Sequence, residues 1–208
     1  MLFITFSCFP CTVAPKLTAP SEPIIARVGT AARIEMTYTG IPTPKVTWKK
    51  DGSPAIIGMK VKTDVTDTTV IYTLRSCEKS DAGTYTATVT NDAGSDSASV
   101  DVMCVDRPGP PQAPLDQSDV TEKSVTLSWR PPASDGGSRI YTYIIEKRTD
   151  LDFKWKKVTS QDIKDLTFKV TGLKENKKYQ FRVSAENKYG RSETLEGQSV
   201  TPMGQYGK

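Results

Sequence analysis

Four cysteines and a scatter of aspartates are the side chains best placed to do chemistry in this chain of 208 residues. Cys8 and Cys11 stand in a C-x-x-C spacing. Two thiols so placed suit a redox dithiol or half of a zinc site, because both can reach one centre. The redox form needs a βαβ context and the zinc form a second ligand pair, and the sequence shows neither. Asp64 with Asp67, and Asp162 with Asp165, have the spacing of carboxylate pairs. Paired acids act by sharing a proton in a dry pocket, whereas on strand and loop positions open to water they are surface charge. Asp92 and Asp96 offer too few oxygen donors for calcium.

The chain has no histidine. That removes the commonest general base, the commonest metal ligand and the usual near-neutral pH switch together. There is no G-x-x-x-x-G-K-[ST] loop, no G-x-G-x-x-G, no H-R-D and no D-F-G. No catalytic, cofactor or metal residue is assigned, and the chain reads as no enzyme. Net charge is +4 and the longest basic cluster, Lys154 to Lys157, is interrupted by Trp155. That is too little for a nucleic-acid footprint. No segment is apolar over 18 residues, so no membrane helix is expected.

The elements that must carry these residues have a period of two. Arg33 to Tyr38, Ser124 to Trp129 and Lys178 to Ala185 alternate polar and apolar, the pattern of strands with one face in a core and one in water. Turn residues recur at Thr39-Gly40, Lys50-Asp51-Gly52, Asp92-Ala93-Gly94, Asp135-Gly136-Gly137, Thr171-Gly172 and Tyr189-Gly190. No 3.6-residue period is sustained. The fold class is all-β, two antiparallel β-sandwiches in tandem. Arg107-Pro108-Gly109-Pro110-Pro111 cannot lie inside a sheet, since proline donates no ladder hydrogen bond. It marks a linker, stiff enough to hold a semi-rigid relative orientation. Pro111 to Pro114 also fits P-x-x-P, a weak SH3-ligand pattern. The expected division is an N-terminal segment 1–13, domains at 14–105 and 106–203, and a tail 204–208. The apolar start, MLFITFSCFPCT, lacks a basic n-region and a clear cleavage site. It reads as a ragged, poorly ordered start, with a poorly formed signal peptide as the alternative.

In residues 14–105, Trp48 follows Pro42 and Pro44, and Asp81-Ala82-Gly83-Thr84-Tyr85 and Asn91-Asp92-Ala93-Gly94 come downstream. These resemble the intermediate-set immunoglobulin domain, in which a strand-C tryptophan packs on the inter-sheet core and D-x-G-x-Y forms a tyrosine corner. The resemblance places the family's paired cysteines at positions 36 and 87, occupied here by Met36 and Ala87. Neither can form the inter-sheet disulfide, so the domain is expected to stand on packing alone, with Met36 filling space against Trp48. Cys77 and Cys104 sit elsewhere and read as free thiols, as in a reducing compartment.

Residues 106–203 carry other marks: Trp129 before Pro131-Pro132, Tyr143 and Ile145 on one face, and Leu173 six residues before Tyr179. They resemble a fibronectin type III domain with its own tyrosine corner. Trp155, among lysines, reads as a half-buried core residue, with a cation–π contact as the alternative. The expected structural core residues across the chain are Met36, Trp48, Tyr85, Ala87, Trp129, Leu173 and Tyr179.

Pro131-Pro132-Ala133-Ser134-Asp135-Gly136-Gly137, Tyr143 to Arg148 and Ala185 to Gly190 look like the fibronectin modules of the giant muscle proteins, the titin, twitchin and projectin family. The resemblance implies a cytoplasmic, sarcomeric location in the thick-filament region, neighbouring modules of the same kinds, and sarcomeric filament partners, myosin among them. It implies spacing, protein binding and mechanical support as the work done. Two alternatives stay open: a fragment of a cell-surface adhesion receptor, and a non-catalytic flank of a giant muscle kinase. The absence of any N-x-S/T site leans away from the first.

Overall fold

The computed structural model describes residues 12–56 and 58–204. The expected N-terminal segment falls almost wholly outside the described residues, and so does the Cys8–Cys11 pair. The chain divides between Cys104 and Val105 into two compact units, each a β-sandwich. Among the described residues the only helical element is a 3-10 turn at Lys79–Asp81.

The first unit holds β1 (Val13–Thr18), β2 (Ile24–Arg27), β3 (Ala32–Ile41), β4 (Lys45–Lys50), β5 (Ser53–Pro54), β6 (Val61–Val65), β7 (Thr69–Leu74), β8 (Gly83–Asn91) and β9 (Gly94–Val105). One sheet has the order β1-β3-β7-β6, the other β2-β9-β8-β4-β5. The alternating run at Arg33 to Tyr38 lies in β3, with Ile34, Met36 and Tyr38 buried. They face Trp48, Tyr85, Ala87 and Val89 of the other sheet within one core. Trp48 and Ala87 are cross-strand partners, so the small alanine leaves the indole its space. Trp48 packs on Tyr72 at 5.2 Å between ring centroids, and Tyr72 on Tyr85 at 5.4 Å.

Two turn signals resolve differently. Asp51 and Gly52 both take positive φ between β4 and β5, the two-residue hairpin that D-G favours. Thr39-Gly40, in contrast, is no turn and lies inside β3. Gly40 has φ +140°, and a Cβ there would lie 2.9 Å from the Pro15 Cα. Glycine is required because β1 passes too close for a side chain, where the β1–β3 register shifts.

The second unit holds β10 (Gln112–Ser118), β11 (Val125–Arg130), β12 (Thr142–Thr149), β13 (Lys156–Lys157), β14 (Thr167–Val170), β15 (Tyr179–Asn187), β16 (Gly190–Arg191) and β17 (Leu195–Glu196). The sheets run β10-β11-β14 and β13-β12-β15-β16, with β17 also paired to β15. The core gathers Val125, Leu127 and Trp129 from one sheet with Tyr143, Ile145, Phe181 and Val183 from the other. Trp129 meets Tyr143 edge-on at 5.5 Å. Residues 106–111 form no strand. Gln112, Ala113 and Pro114 belong to β10, so three of the four residues of the P-x-x-P stretch are sheet.

Met36 is fully buried, and truncating such a side chain costs its transfer energy plus that of the cavity left behind. Met36→Ala is expected to lower the first unit's unfolding free energy by about 2–4 kcal/mol. Urea titration should show one transition moving, while hydrogen exchange in residues 125–187 stays unchanged.

Candidate functional site

The candidate functional features are those that close each sandwich and those left outside it. The seven sequence-assigned core positions, Met36, Trp48, Tyr85, Ala87, Trp129, Leu173 and Tyr179, are all buried.

Four of the five residues of Asp81-Ala82-Gly83-Thr84-Tyr85 have a definite job. The Tyr85 hydroxyl donates to the Asp81 carbonyl at 3.0 Å. Burial pushes its pKa well above the usual tyrosine value, so it stays a neutral donor. The Asp81 carboxylate accepts from the Glu78 N–H at 2.7 Å and pairs with Lys60 at 2.7 Å. Gly83 has φ +148°, and a Cβ there would meet the Asp51 carboxylate at 2.5 Å. That carboxylate accepts the Thr84 N–H. In the second unit Tyr179 does the reverse, its hydroxyl accepting from the Lys174 N–H at 3.0 Å.

Two asparagines repeat one device. Asn91 donates to the Val13 and Pro42 carbonyls and accepts from the Ala93 N–H. Asn187 donates to the Asp106 and Asp135 carbonyls and accepts from the Tyr189 and Gly190 N–H groups. Each ties the last hairpin to the incoming chain and to a loop. The N-x-x-G signal was visible as a turn, but its long-range partners were not.

On the outer face of the second unit's larger sheet, Trp155 lies between Arg148 at 4.5 Å and Arg182 at 4.4 Å from its ring centroid. The half-buried tryptophan is therefore not a core residue; it is held by cations from β12 and β15 and not by its neighbouring lysines. Arg182 and Arg191 both donate to Glu146, at 2.8 and 2.6 Å. Burial pushes the Glu146 pKa up, but hydrogen bonds from Arg191 and Arg182 outweigh it and hold the carboxyl below its usual range. Alternation in β12 and β15 could have shown these residues sharing the outer face; their pairing depends on register.

The free-thiol reading of Cys77 and Cys104 is overturned. They form a disulfide, with Cα atoms 6.4 Å apart. Cys77 follows β7 and bonds through its backbone to Thr30 and Gly29. Cys104 is near the end of β9, in the other sheet. The first unit thus has a covalent tie between sheets, away from positions 36 and 87, and does not stand on packing alone. Such a closure over 27 residues contributes about 3–4 kcal/mol in the chain-entropy picture. Spacing alone could not reveal it, because pairing needs Cβ atoms brought together by the fold.

The other candidates scatter. Asp96 spends its carboxylate on the Leu17 and Ser97 N–H groups, and Asp64 pairs with Lys62. Among the described residues no three His, Cys, Asp or Glu side chains are grouped to hold a metal ion. None of their helices is long and apolar enough to cross a membrane.

Residues 15–104 match the immunoglobulin I-set domain, and residues 109–200 the fibronectin type III domain. The chain belongs to these two families, in that order. Titin of Drosophila melanogaster is 36% identical over 84% of the chain, which spans 1% of that protein. Human slow-type myosin-binding protein C is 35% identical over 86% of the chain, which spans 16% of it. The crystal structure of domains A168–A170 from titin superposes with a TM-score of 0.64 at 31% identity, over 92% of this chain and 67% of that one. The chain therefore covers only a small part of the curated relatives it matches. The immunoglobulin domain departs from its family in the place of its bridge, and the fibronectin domain carries the cation–aromatic ladder.

Two measurements follow from this geometry. Pulled from its ends with the bridge intact, the immunoglobulin domain should lengthen by about 90 Å less than when reduced, since 27 residues at roughly 3.4 Å each stay out of the extended chain. Single-molecule force spectroscopy with and without dithiothreitol reads this directly, and equal increments would restore free thiols. Because the folded pKa of Glu146 is depressed, its stabilisation is complete above the unfolded value of about 4.3 and is lost as pH falls through the folded value. Glu146→Gln should cost the fibronectin domain about 1–3 kcal/mol at pH 7. The gap to wild type should narrow progressively below pH about 4 in urea titrations.

Proposed function

We propose that this domain pair is a non-enzymatic structural and interaction unit of a sarcomeric filament protein, in the thick-filament region. The observation that carries the reading is a likeness that runs through both domains, in order, to titin and to a protein named for binding myosin. The pair would give spacing, protein contacts and mechanical support, with more modules of the same kinds on either side. A strand of seven residues is about 23 Å long. The fibronectin domain's chain drawn straight would span about 330 Å. Each unfolding event under tension would thus release slack on the order of 300 Å from that domain.

The partner in this reading is myosin, engaged through weak contacts that add up along repeats. Tandem arrays of the domain pair are expected to pellet with purified thick filaments. Arrays that stay wholly in the supernatant remove myosin as the partner.

One observation favours a second reading. A disulfide persists best in an oxidising compartment, and Cys77–Cys104 is bridged. That supports a piece of a cell-surface adhesion receptor. Alkylation of thiols in protein taken directly from its native tissue separates the two. Rapid labelling of both cysteines supports the muscle reading, and resistance until reduction supports the surface one.

A further inference from the structure

The fibronectin domain has a recess that its folding does not explain. It has a volume of about 330 Å³ and lies against the loop joining β12 to β13. Lys147, Arg148, Lys156, Lys174 and Lys177 line it, with Asp152 the single carboxylate. Lys147 occupies the slot after Tyr143 and Ile145 on the inward side of β12, opposite Phe181. Its stem covers the edge of the core, and its ammonium lies 5.9 Å from the Tyr179 ring centroid. Burial, and then Lys156 beside it, pull its pKa below the usual lysine value. Asp152 takes the Thr149 hydroxyl at 3.0 Å and reaches Lys156 only at 3.9 Å. Among the described residues, Lys147, Lys174 and Lys177 have no carboxylate partner. A recessed cation without a counter-charge is costly, and an incoming anion relieves that cost.

Two further facts set the kind of anion. Leu151 is 83% and Phe153 97% exposed, both on the same loop, and Leu151 also lines the recess. The chain's whole excess of positive charge falls in residues 106–208, while residues 1–105 balance.

We propose that this recess docks an acidic, apolar segment of a partner protein. Carboxylates enter among Lys147, Lys174 and Lys177, and an apolar side chain packs on Leu151 and Phe153. A carboxylate on a flexible side chain reaches a recessed ammonium. The proposal names the partner chemistry for the filament-binding reading, and rests on that reading for the partner being a protein.

The test is a titration of the isotope-labelled 208-residue chain, followed by amide chemical shifts. The probe is a short synthetic peptide alternating glutamate and leucine. Shifts are expected in residues 147–156 and 174–179, weakening as salt rises. Lys174→Glu with Lys177→Glu should weaken binding about tenfold or more, as for lost charge pairs at an interface. Leu151→Ser with Phe153→Ser should weaken it about fivefold, from lost apolar contact. All four side chains are solvent-facing, so unchanged shift dispersion in the variants certifies the fold. Shifts centred elsewhere, or binding indifferent to the lysine reversals, overturn the proposal. So does binding of phosphatidylserine vesicles or a single-stranded oligonucleotide at the recess when the peptide does not bind. If the peptide fails while arrays still pellet with thick filaments, the recess is wrong and the filament reading stands. If it binds while arrays stay in solution, the recess stands and myosin falls.

Discussion

Two sheets stay together only where the buried face of each meets the buried face of the other, and in the immunoglobulin domain that meeting is aromatic. Trp48, Tyr72 and Tyr85 pack ring on ring across the sandwich, over Met36 and Ala87. The rest follows from keeping those rings in place. A strand that slipped by one residue would turn Ile34, Met36 and Tyr38 to water together. The tyrosine corner holds β8 in its register by fixing the Tyr85 ring to the Asp81 backbone. The Cys77–Cys104 bridge sits at the margin of this core and closes a loop of the unfolded chain. It adds to the packing and does not substitute for it: the bridge constrains where the chain can go when open, while the rings determine what it closes onto.

How much of this was legible depends on whether a feature is local. Alternation at Arg33 to Tyr38, Ser124 to Trp129 and Lys178 to Ala185 reports strands because the period of two belongs to the strand itself. Asp51-Gly52 reports a hairpin because positive φ is a property of those two residues. Gly40 shows where that reasoning fails: the same residue type answers to a turn or to a neighbour 2.9 Å away, and only the path of β1 decides. Trp129 and Trp155 differ in the same way. Both are tryptophans near strand residues, yet one faces the core and the other lies between two arginines on the outside. The disulfide is hidden from the sequence for the strongest form of this reason. Cysteines 27 residues apart carry no sign of whether β9 ends beside the residue that follows β7.

The two domains solve the inside of the problem alike and the outside differently. Asn91 and Asn187 close equivalent hairpins, and Tyr85 and Tyr179 each bond to backbone a few residues upstream. On the outer face of β8 and β9, however, hydroxyls pair across the strands: Thr86 with Ser99 and Thr88 with Ser97, each at 2.9 Å. These hydroxyls satisfy one another, and on the same face the Thr84 hydroxyl donates to the Asp101 carboxylate at 2.7 Å. On the outer face of β12 and β15, in contrast, Glu146, Arg148 and Arg182 form, with Trp155 just before β13, an array of charge around an aromatic ring. A hydroxyl ladder gives a partner little to discriminate. Cations fixed by stacking are pre-organised, and an attraction that needs no further ordering loses less on binding. Pre-organised charge in this pair therefore lies chiefly on the fibronectin domain, where the excess charge also lies, while the immunoglobulin domain contributes a closed, covalently tied sandwich.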